Sequence, residues 1–314
     1  MPGGLRREHL STGCTDRRTT VGIVTRPFDA VEIVFNPNST GDAQERAEEL
    51  AEQLAERAPE LPARLRPTER AGHGREIARD AARGGRPLLV SVSGDGGYND
   101  VVNGLMEAGA DTAYAAVLAA GNANDHRRVT KERPLIDGIV EGDVSRLDLL
   151  KMTADDDREV RYAHSYIGLG ITPTVALELE KGGKGSVKEV ISTIRTFSKF
   201  RPFVIETGSG RESFDSVIFA NIREMAKVAV LSEEGRPDDG EFEVIVLRHT
   251  AKWRVLTTAV RAALFGLGPQ PSAREYRFTT VDPMPIQVDG EVSEFDRGVA
   301  VTVEIVPGAL QTVL

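Results

Sequence analysis

Apolar residues recur along the first half of the chain in two alternating rhythms, and each change of rhythm falls on a polar, turn-forming stretch. Val31-Glu32-Ile33-Val34-Phe35 is a compact β-type run that stops at Asn36-Pro37-Asn38-Ser39-Thr40-Gly41, residues that favour a turn and cannot extend a strand. Asp42 and Glu45 resemble a capping box, and Ala47, Leu50, Ala51, Leu54 and Ala58 then recur at helical spacing up to Pro59. The unit repeats. Ala63 to Arg66 reads as a short strand before Thr68, His73 to Ala82 as a helix, the run from Leu88 as a strand leading to a helix through Met106, and Ala115 to Leu118 as a further strand. Strands alternating with helices predict a parallel sheet.

From about residue 145 the rhythm changes to longer alternating runs: Arg146 to Thr153, Arg161 to Ile167, Arg201 to Glu206, Ser216 to Ile222, Glu241 to Leu247, Arg274 to Thr280 and Gly298 to Val306. One helix is embedded among them at residues 187–199, with Val187, Val190, Ile191, Ile194 and Phe197 on one side. The fold class expected is α/β plus β: an N-terminal Rossmann-like parallel-sheet domain followed by a C-terminal antiparallel β-sandwich or barrel-like domain. The division expected is a disordered leader at 1–27, an α/β domain at 28–144 and a β-rich domain at 145–306, with 307–314 packing back onto the first domain.

Composition narrows the partners. The formal charge is -9, with acidic and basic residues interspersed, so no broad basic surface advertises nucleic acid. The single cysteine, Cys14, rules out an internal disulfide and a cysteine-based metal cluster. No apolar stretch approaches the roughly 20 residues needed to span a bilayer, and no secretory apolar core opens the chain. A soluble cytoplasmic protein is expected.

The chemistry concentrates at strand ends. Leu88 to Ser93 empties into Gly94-Asp95-Gly96-Gly97, where glycines leave backbone N–H groups uncovered and the following helix start adds its positive dipole end. This turn reads as a phosphate site, with Asp95 placed to position a metal, water or hydroxyl. The plainer reading is a tight strand-to-helix connection. Further turns, Asn36 to Gly41 and Gly121-Asn122-Ala123-Asn124-Asp125, follow two more strands, and open α/β sheets collect their ligands at such strand ends. Asp155-Asp156-Asp157 is read as a solvated turn, because no calcium-loop pattern surrounds it. Gly182-Gly183-Lys184-Gly185-Ser186 fails the P-loop spacing, and Gly168-Leu169-Gly170 lacks the third glycine of a dinucleotide fingerprint. His73 and His164 have no partner at metal-ligand spacing and are assigned to packing or the surface.

Four motifs then stand in one order: Asn36-Pro37-Asn38-Ser39-Thr40-Gly41, Ser93-Gly94-Asp95-Gly96-Gly97-Tyr98-Asn99-Asp100, Gly121 to Asp125, and Asp289-Gly290-Glu291. Over roughly residues 29 to 310 the chain resembles the diacylglycerol kinase catalytic-domain family, which includes the soluble bacterial lipid kinases and the sphingosine kinases. The resemblance implies a two-domain kinase with ATP in the cleft between a nucleotide domain and a domain that shapes the lipid site. It implies that Asn36, Pro37, Asn38, Ser39 and Thr40 line the phosphates or ribose, and that Thr68 touches the nucleotide. Ser93, Gly94, Asp95, Gly96, Gly97 and Asn99 would cradle phosphate, with Asn122 nearby. It places magnesium on Asp239, completed by backbone carbonyls at Arg236 and Glu241, although Pro237-Asp238-Asp239-Gly240 alone reads as a hairpin turn. Glu291 is the first candidate for the base that takes the acceptor proton, with Asp289 supporting or sharing the role and Asp95 a rival. Taken alone, Asp-Gly-Glu is also a hairpin turn.

Departures are visible. Many members of that family carry threonine where Gly97 and Asn122 stand, glutamate where Asp100 stands, and Phe-Ala where His126-Arg127 follow Asp125. His126, Arg127 and Arg128 either bring positive charge toward phosphate or sit solvated on a surface helix. The resemblance implies ATP and magnesium as cofactors, and a diacylglycerol-like lipid, offered at a membrane surface, as acceptor. The enzyme would then be peripheral to the membrane, and a homodimer is compatible with the sequence. Ile167 to Ile171, Leu264 to Leu267 and the amphipathic stretch from Trp253 are candidates for the lipid cleft or for core. An NAD kinase-like enzyme and a non-catalytic nucleotide- or lipid-binding regulator are the alternatives.

Overall fold

A computed structural model describes residues 26–39, 41–109, 111–121, 124–130, 133–155, 159–170, 202–225, 229–230, 235–249 and 268–314. The N-terminal part runs β1 (Ala30–Phe35), α1 (Ala43–Arg57), β2 (Ala63–Pro67), α2 (His73–Gly84), β3 (Pro87–Ser93), α3 (Asp95–Ala108), β4 (Tyr114–Ala119), α4 (Asp125–Thr130) and α5 (Leu135–Glu141). Its four strands are parallel, in the order β2-β1-β3-β4. β1 and β3 are buried on both faces, which is why they read as near-continuous apolar runs. Their alternation sorts side chains onto two cores. Val31, Ile33, Phe35, Leu88, Val90 and Val92 face α1, where Leu50 and Leu54 pack on them; Val34 and Leu89 face Ile77 of α2 and Val101 and Leu105 of α3.

The expected capping box at α1 does not form. Asp42 caps no backbone N–H with its side chain and instead pairs with Arg46 at 2.8 Å, one turn into the helix. α2 and α3 cross closely because position 104 is glycine.

The C-terminal part runs β5 (Ser145–Ala154), β6 (Glu159–Ala163), β7 (Tyr166–Gly170), β8 (Phe203–Thr207), β9 (Gly210–Ala220), β10 (Glu224–Met225), β11 (Ala229–Val230), β12 (Phe242–Arg248), β13 (Ser272–Ala273), β14 (Glu275–Thr280), β15 (Met284–Val288), β16 (Glu291–Phe295) and β17 (Ala300–Thr312). Eleven of these form one antiparallel sheet in the order β16-β15-β7-β9-β8-β14-β17-β5-β6, with β12 joined to β9 and β13. The sheet curls on itself. Leu150 and Met152 of β5 share a core with Ile286 and Val288 of β15, far along the strand order, and Arg161 of β6 reaches Ser293 of β16 at 3.2 Å across the two free edges.

Two features differ from the sequence reading. The single strand expected from Arg161 to Ile167 breaks at His164-Ser165, and the Asp289-Gly290-Glu291 turn, readable as a hairpin, is flanked by β15 and β16, which are not among the expected strands. At the other end, β17 is offset between Val306 and Leu310, and beyond that irregularity Leu310 and Val313 enter the two N-terminal cores. The expected helix at 187–199, the Gly182 loop, most of the leader and the stretch from Trp253 to Leu267 lie outside the described residues. Among the described residues no helix is long and apolar enough to cross a membrane.

A Cβ at position 104 would collide with the Arg75 carbonyl oxygen and stand 2.9 Å from the Ala78 Cβ. Gly104→Ala should therefore force α2 and α3 apart and lower the unfolding free energy by about 1–3 kcal/mol, read from urea denaturation, despite alanine's higher helix propensity.

Candidate active site

At the C-terminal ends of β1 and β3 lies a cleft of about 370 Å³ whose walls include Asn36, Asn38, Thr68, Ser93, Gly97 and Asp100. Three loops separated in sequence converge there because parallel strands end together. The Asn36 loop is shaped by its own side chain: the Asn36 carboxamide oxygen accepts the Asn38 N–H at 2.9 Å, and Ser39 N–H returns to the Asn36 carbonyl at 3.2 Å. Thr68 N–H donates to Phe35 O at 2.8 Å, so β1 and the residue after β2 leave the sheet together. α3 starts at the glycine turn, and the N–H groups of its first turn have no intrahelical acceptor.

The missing threonine hydroxyl at position 97 has a packing cause. A Cβ there would stand 2.7 Å from the Ser93 Cβ and 2.8 Å from its hydroxyl. Ser93 occupies that space and bonds to the Ser91 hydroxyl at 2.7 Å, so hydroxyls reach the cleft from the strand instead.

The fourth motif meets the second from across the molecule. Gly290 approaches the backbone nitrogen of Gly96, a Cβ on it standing 3.8 Å away. Asp289-Gly290 form the tight turn of the β15–β16 hairpin, both with positive φ (45° and 96°). The turn reading and the functional reading of this tripeptide coincide. Asp289 is fully buried, and its carboxylate accepts His164 N–H at 2.6 Å, Ser165 N–H at 3.0 Å, Tyr166 N–H at 2.9 Å and the Asn99 side-chain amide at 2.9 Å. Those three consecutive backbone groups leave the sheet ladder to do so, which is where the expected strand breaks. Burial pushes the Asp289 carboxyl up, while His164 and the backbone donors pull against it. One turn further along α3, Asn103 completes the join: its amide donates to Tyr162 O at 2.9 Å and its carbonyl accepts Tyr162 N–H at 2.9 Å.

His164, assigned from sequence to packing or the surface, lies inside this junction. Its Nε2 stands 3.3 Å from the Asp289 carboxylate and its Nδ1 2.8 Å from the Ser165 hydroxyl. His126 and Arg127 are not on a solvated face: both are buried, the His126 ring packing 4.6 Å from His164 and 5.3 Å from Tyr98. Burial holds His126 well below its ordinary range, so it is neutral. The Asp95 carboxylate accepts Asp125 N–H at 3.0 Å and His126 N–H at 3.3 Å, fixing the start of α4. Gly121 comes so close to Gly94 that a Cβ on it would stand 2.5 Å from the Gly94 Cα.

A family description agrees with this geometry: that of the diacylglycerol kinase catalytic domain matches residues 30–152. Over those residues the chain is similar to the diacylglycerol kinase catalytic domain. It is 24% identical over 261 residues to the "Probable lipid kinase YegS-like" of Chromohalobacter salexigens, covering 78% of this chain and 82% of that protein. It is 20% identical over 249 residues to the "Putative lipid kinase" of Staphylococcus aureus, covering 71% and 76%. A Bacillus anthracis crystal structure titled a diacylglycerol kinase shares the fold with TM-score 0.67 at 18% identity, over 91% of this chain and 97% of that one.

Measured against the residues expected from the diacylglycerol kinase motifs, the cleft gathers Asn36, Asn38, Thr68, Ser93 and Gly97. Asp95, Gly96 and Asn99 face the junction with Asp289, and Gly94 packs on Gly121. Pro37 and Ser39 belong to the loop without lining the cleft. Thr40 and Asn122 lie outside the described residues. The loop carrying Arg236, Asp239 and Glu241 stands apart from the cleft: Arg236 pairs with Asp238 at 3.0 Å, and Asp239 accepts the Glu241 N–H at 3.1 Å. Buried Asp148 clamps that loop, accepting Gly240 N–H and Gly308 N–H at 2.7 Å each.

Asp100 was not singled out for a role. It lines the cleft, and its pKa is raised from 3.8 to about 6, first by burial and then by the neighbouring Glu291 charge. Its signal was the polar position left on an otherwise apolar stretch of α3, as it was for Asn103.

Two outcomes follow. Replacing Asp289 by alanine strands its donors and should cost about 3–5 kcal/mol of stability, measured by chemical denaturation. The raised Asp100 pKa means the folded state holds a proton that the unfolded chain releases. Stability should therefore fall as pH rises from the ordinary carboxylate range to about 6, and Asp100→Asn should flatten that part of the profile.

Proposed function

We propose that the chain transfers the γ-phosphate of ATP to a primary hydroxyl of diacylglycerol or a related lipid. The observation that carries this reading is the approach of Gly290 to Gly96, because it sets the Asp289-Gly290-Glu291 hairpin against the start of α3. In this reading the Asn36 loop, Thr68 and Ser93 hold the nucleotide, and the first-turn N–H groups of α3 take its terminal phosphates. Glu291, exposed on the first position of β16, takes the proton of the attacking hydroxyl. Asp289 is a positioning residue here: its oxygens are committed to four donors, which leaves the base role to Glu291. Asp95 likewise holds the start of α4 in register with the cleft.

Magnesium fits the chain in two senses. Asp239 with the carbonyls of Arg236 and Glu241 is an all-oxygen set of the kind the ion prefers, in a loop already shaped by Asp148, and ATP carries its own ion to phosphate. The ion that ATP carries would supply charge neutralisation at the transferring phosphoryl group, whereas one held by Asp239, whose loop stands apart from the cleft, would brace that loop. In this reading the lipid is taken from a membrane surface, where diacylglycerol-like acceptors partition.

Labelled γ-phosphate should pass from ATP to diacylglycerol in mixed micelles. Glu291→Gln should lower kcat by about 10²–10⁴-fold while ATP affinity stays within about twofold, the loss typical of a removed general base. A folded wild-type protein that labels no lipid, or a Glu291→Gln variant with unchanged kcat, would overturn the assignment.

A further inference from the structure

A second cavity, of about 580 Å³, lies on the α1 side of the same sheet and is larger than the cleft. Leu50, Leu118, Leu135 and Ile136 give it an apolar wall continuous with the core beneath α1. Two guanidinium groups also line it, Arg46 and Arg127. Arg46 is already engaged, paired with Asp42 at 2.8 Å and donating to Ala119 O at 2.7 Å. Arg127 differs. It is only 7% exposed, one of its nitrogens donates to Arg133 O at 2.9 Å, and among the described residues no carboxylate pairs with it.

A guanidinium has five N–H donors and remains charged even where burial lowers its pKa, as it does here. Burying that charge against one carbonyl is costly unless an anionic oxygen group completes it. Glu45, Glu49 and the Asp42 that pairs with Arg46 also line this cavity and set an upper limit on the charge it accepts. A polyphosphate would bring several negative charges against them, whereas a monoanion brings one. We propose that this cavity binds a monoanionic group carried on a short apolar chain, with the anion on Arg127 and the chain against Leu50, Leu118, Leu135 and Ile136.

Octanoate is the probe, titrated calorimetrically into the full-length chain, with octanol lacking the charge and acetate lacking the chain. The account expects saturable octanoate binding with Kd below about 1 mM and both controls weaker by roughly tenfold or more. Arg127→Ala should weaken octanoate by roughly tenfold, and Arg127→Lys by less. Leu118→Trp fills the cavity while leaving the cation in place, so it should abolish binding even if Arg127→Ala proves unfolded. Thr68→Ala, in the other cleft, should leave octanoate affinity unchanged. Absent saturation, octanol binding as tightly as octanoate, loss of octanoate binding in Thr68→Ala, or a Leu118→Trp variant that still binds would each overturn the proposal.

Discussion

The Asp289 carboxylate is the point on which the rest of the arrangement depends. It sits at the tip of a hairpin with no exposure to solvent, and it is satisfied by three successive backbone N–H groups and one amide. The donors come from two separate stretches of the chain. His164 to Tyr166 form the corner between β6 and β7, and Asn99 belongs to the helix that begins at the glycine turn. A buried carboxylate bears a large desolvation cost, which still raises the Asp289 pKa, and this density of donors offsets part of it. The hairpin, the curled sheet and the helix start are thereby tied in one geometry. Glu291, two residues from Asp289, inherits its place beside α3 from that tie.

Much of the parallel half could be read in the sequence because its physics is local. β1 and β3 are buried on both faces and show it as unbroken apolar runs, and α1 shows its buried face through Leu50 and Leu54 at helical spacing. The glycine turn declared itself because its residues leave backbone uncovered. What was not legible depends on partners far along the chain. The break at His164-Ser165 is imposed by a carboxylate 123 to 125 positions away. The Asp289-Gly290 turn is legible as a hairpin, but its strands hide because Pro285 is disfavoured inside a strand and Ser293-Glu294 is an adjacent polar pair in a five-residue run. His126 and Arg127 look like surface residues, and only the packing of α4 between the two halves buries them.

The two hollows of the N-terminal part share one sheet and differ in chemistry. The cleft presents hydroxyls, carboxamides and helix-start N–H groups, which suits a hydrated polyanion. The cavity under α1 presents aliphatic side chains together with Arg46, Arg127 and the carboxylates of Asp42, Glu45 and Glu49, and of its two cations Arg127 is the buried one. Both border strand ends, and β4 walls only the cavity: its Ala119, whose carbonyl Arg46 holds, lies two residues before Gly121, which packs on the glycine turn. The departures at Gly97 and His126-Arg127 belong to this arrangement. Ser93 fills the space beside Gly97, and Arg127 lines the cavity on the α1 side.

The most direct test of the convergent cleft is a crystal structure of the chain with a non-hydrolysable ATP analogue. The account places the terminal phosphate at the start of α3, by Gly96 and Gly97, with the sugar and base toward Asn36 and Thr68 and the Glu291 carboxylate facing the γ-phosphorus. An analogue seated instead beside Arg127 under α1, or held in the cleft with Glu291 turned away from its phosphates, would contradict it.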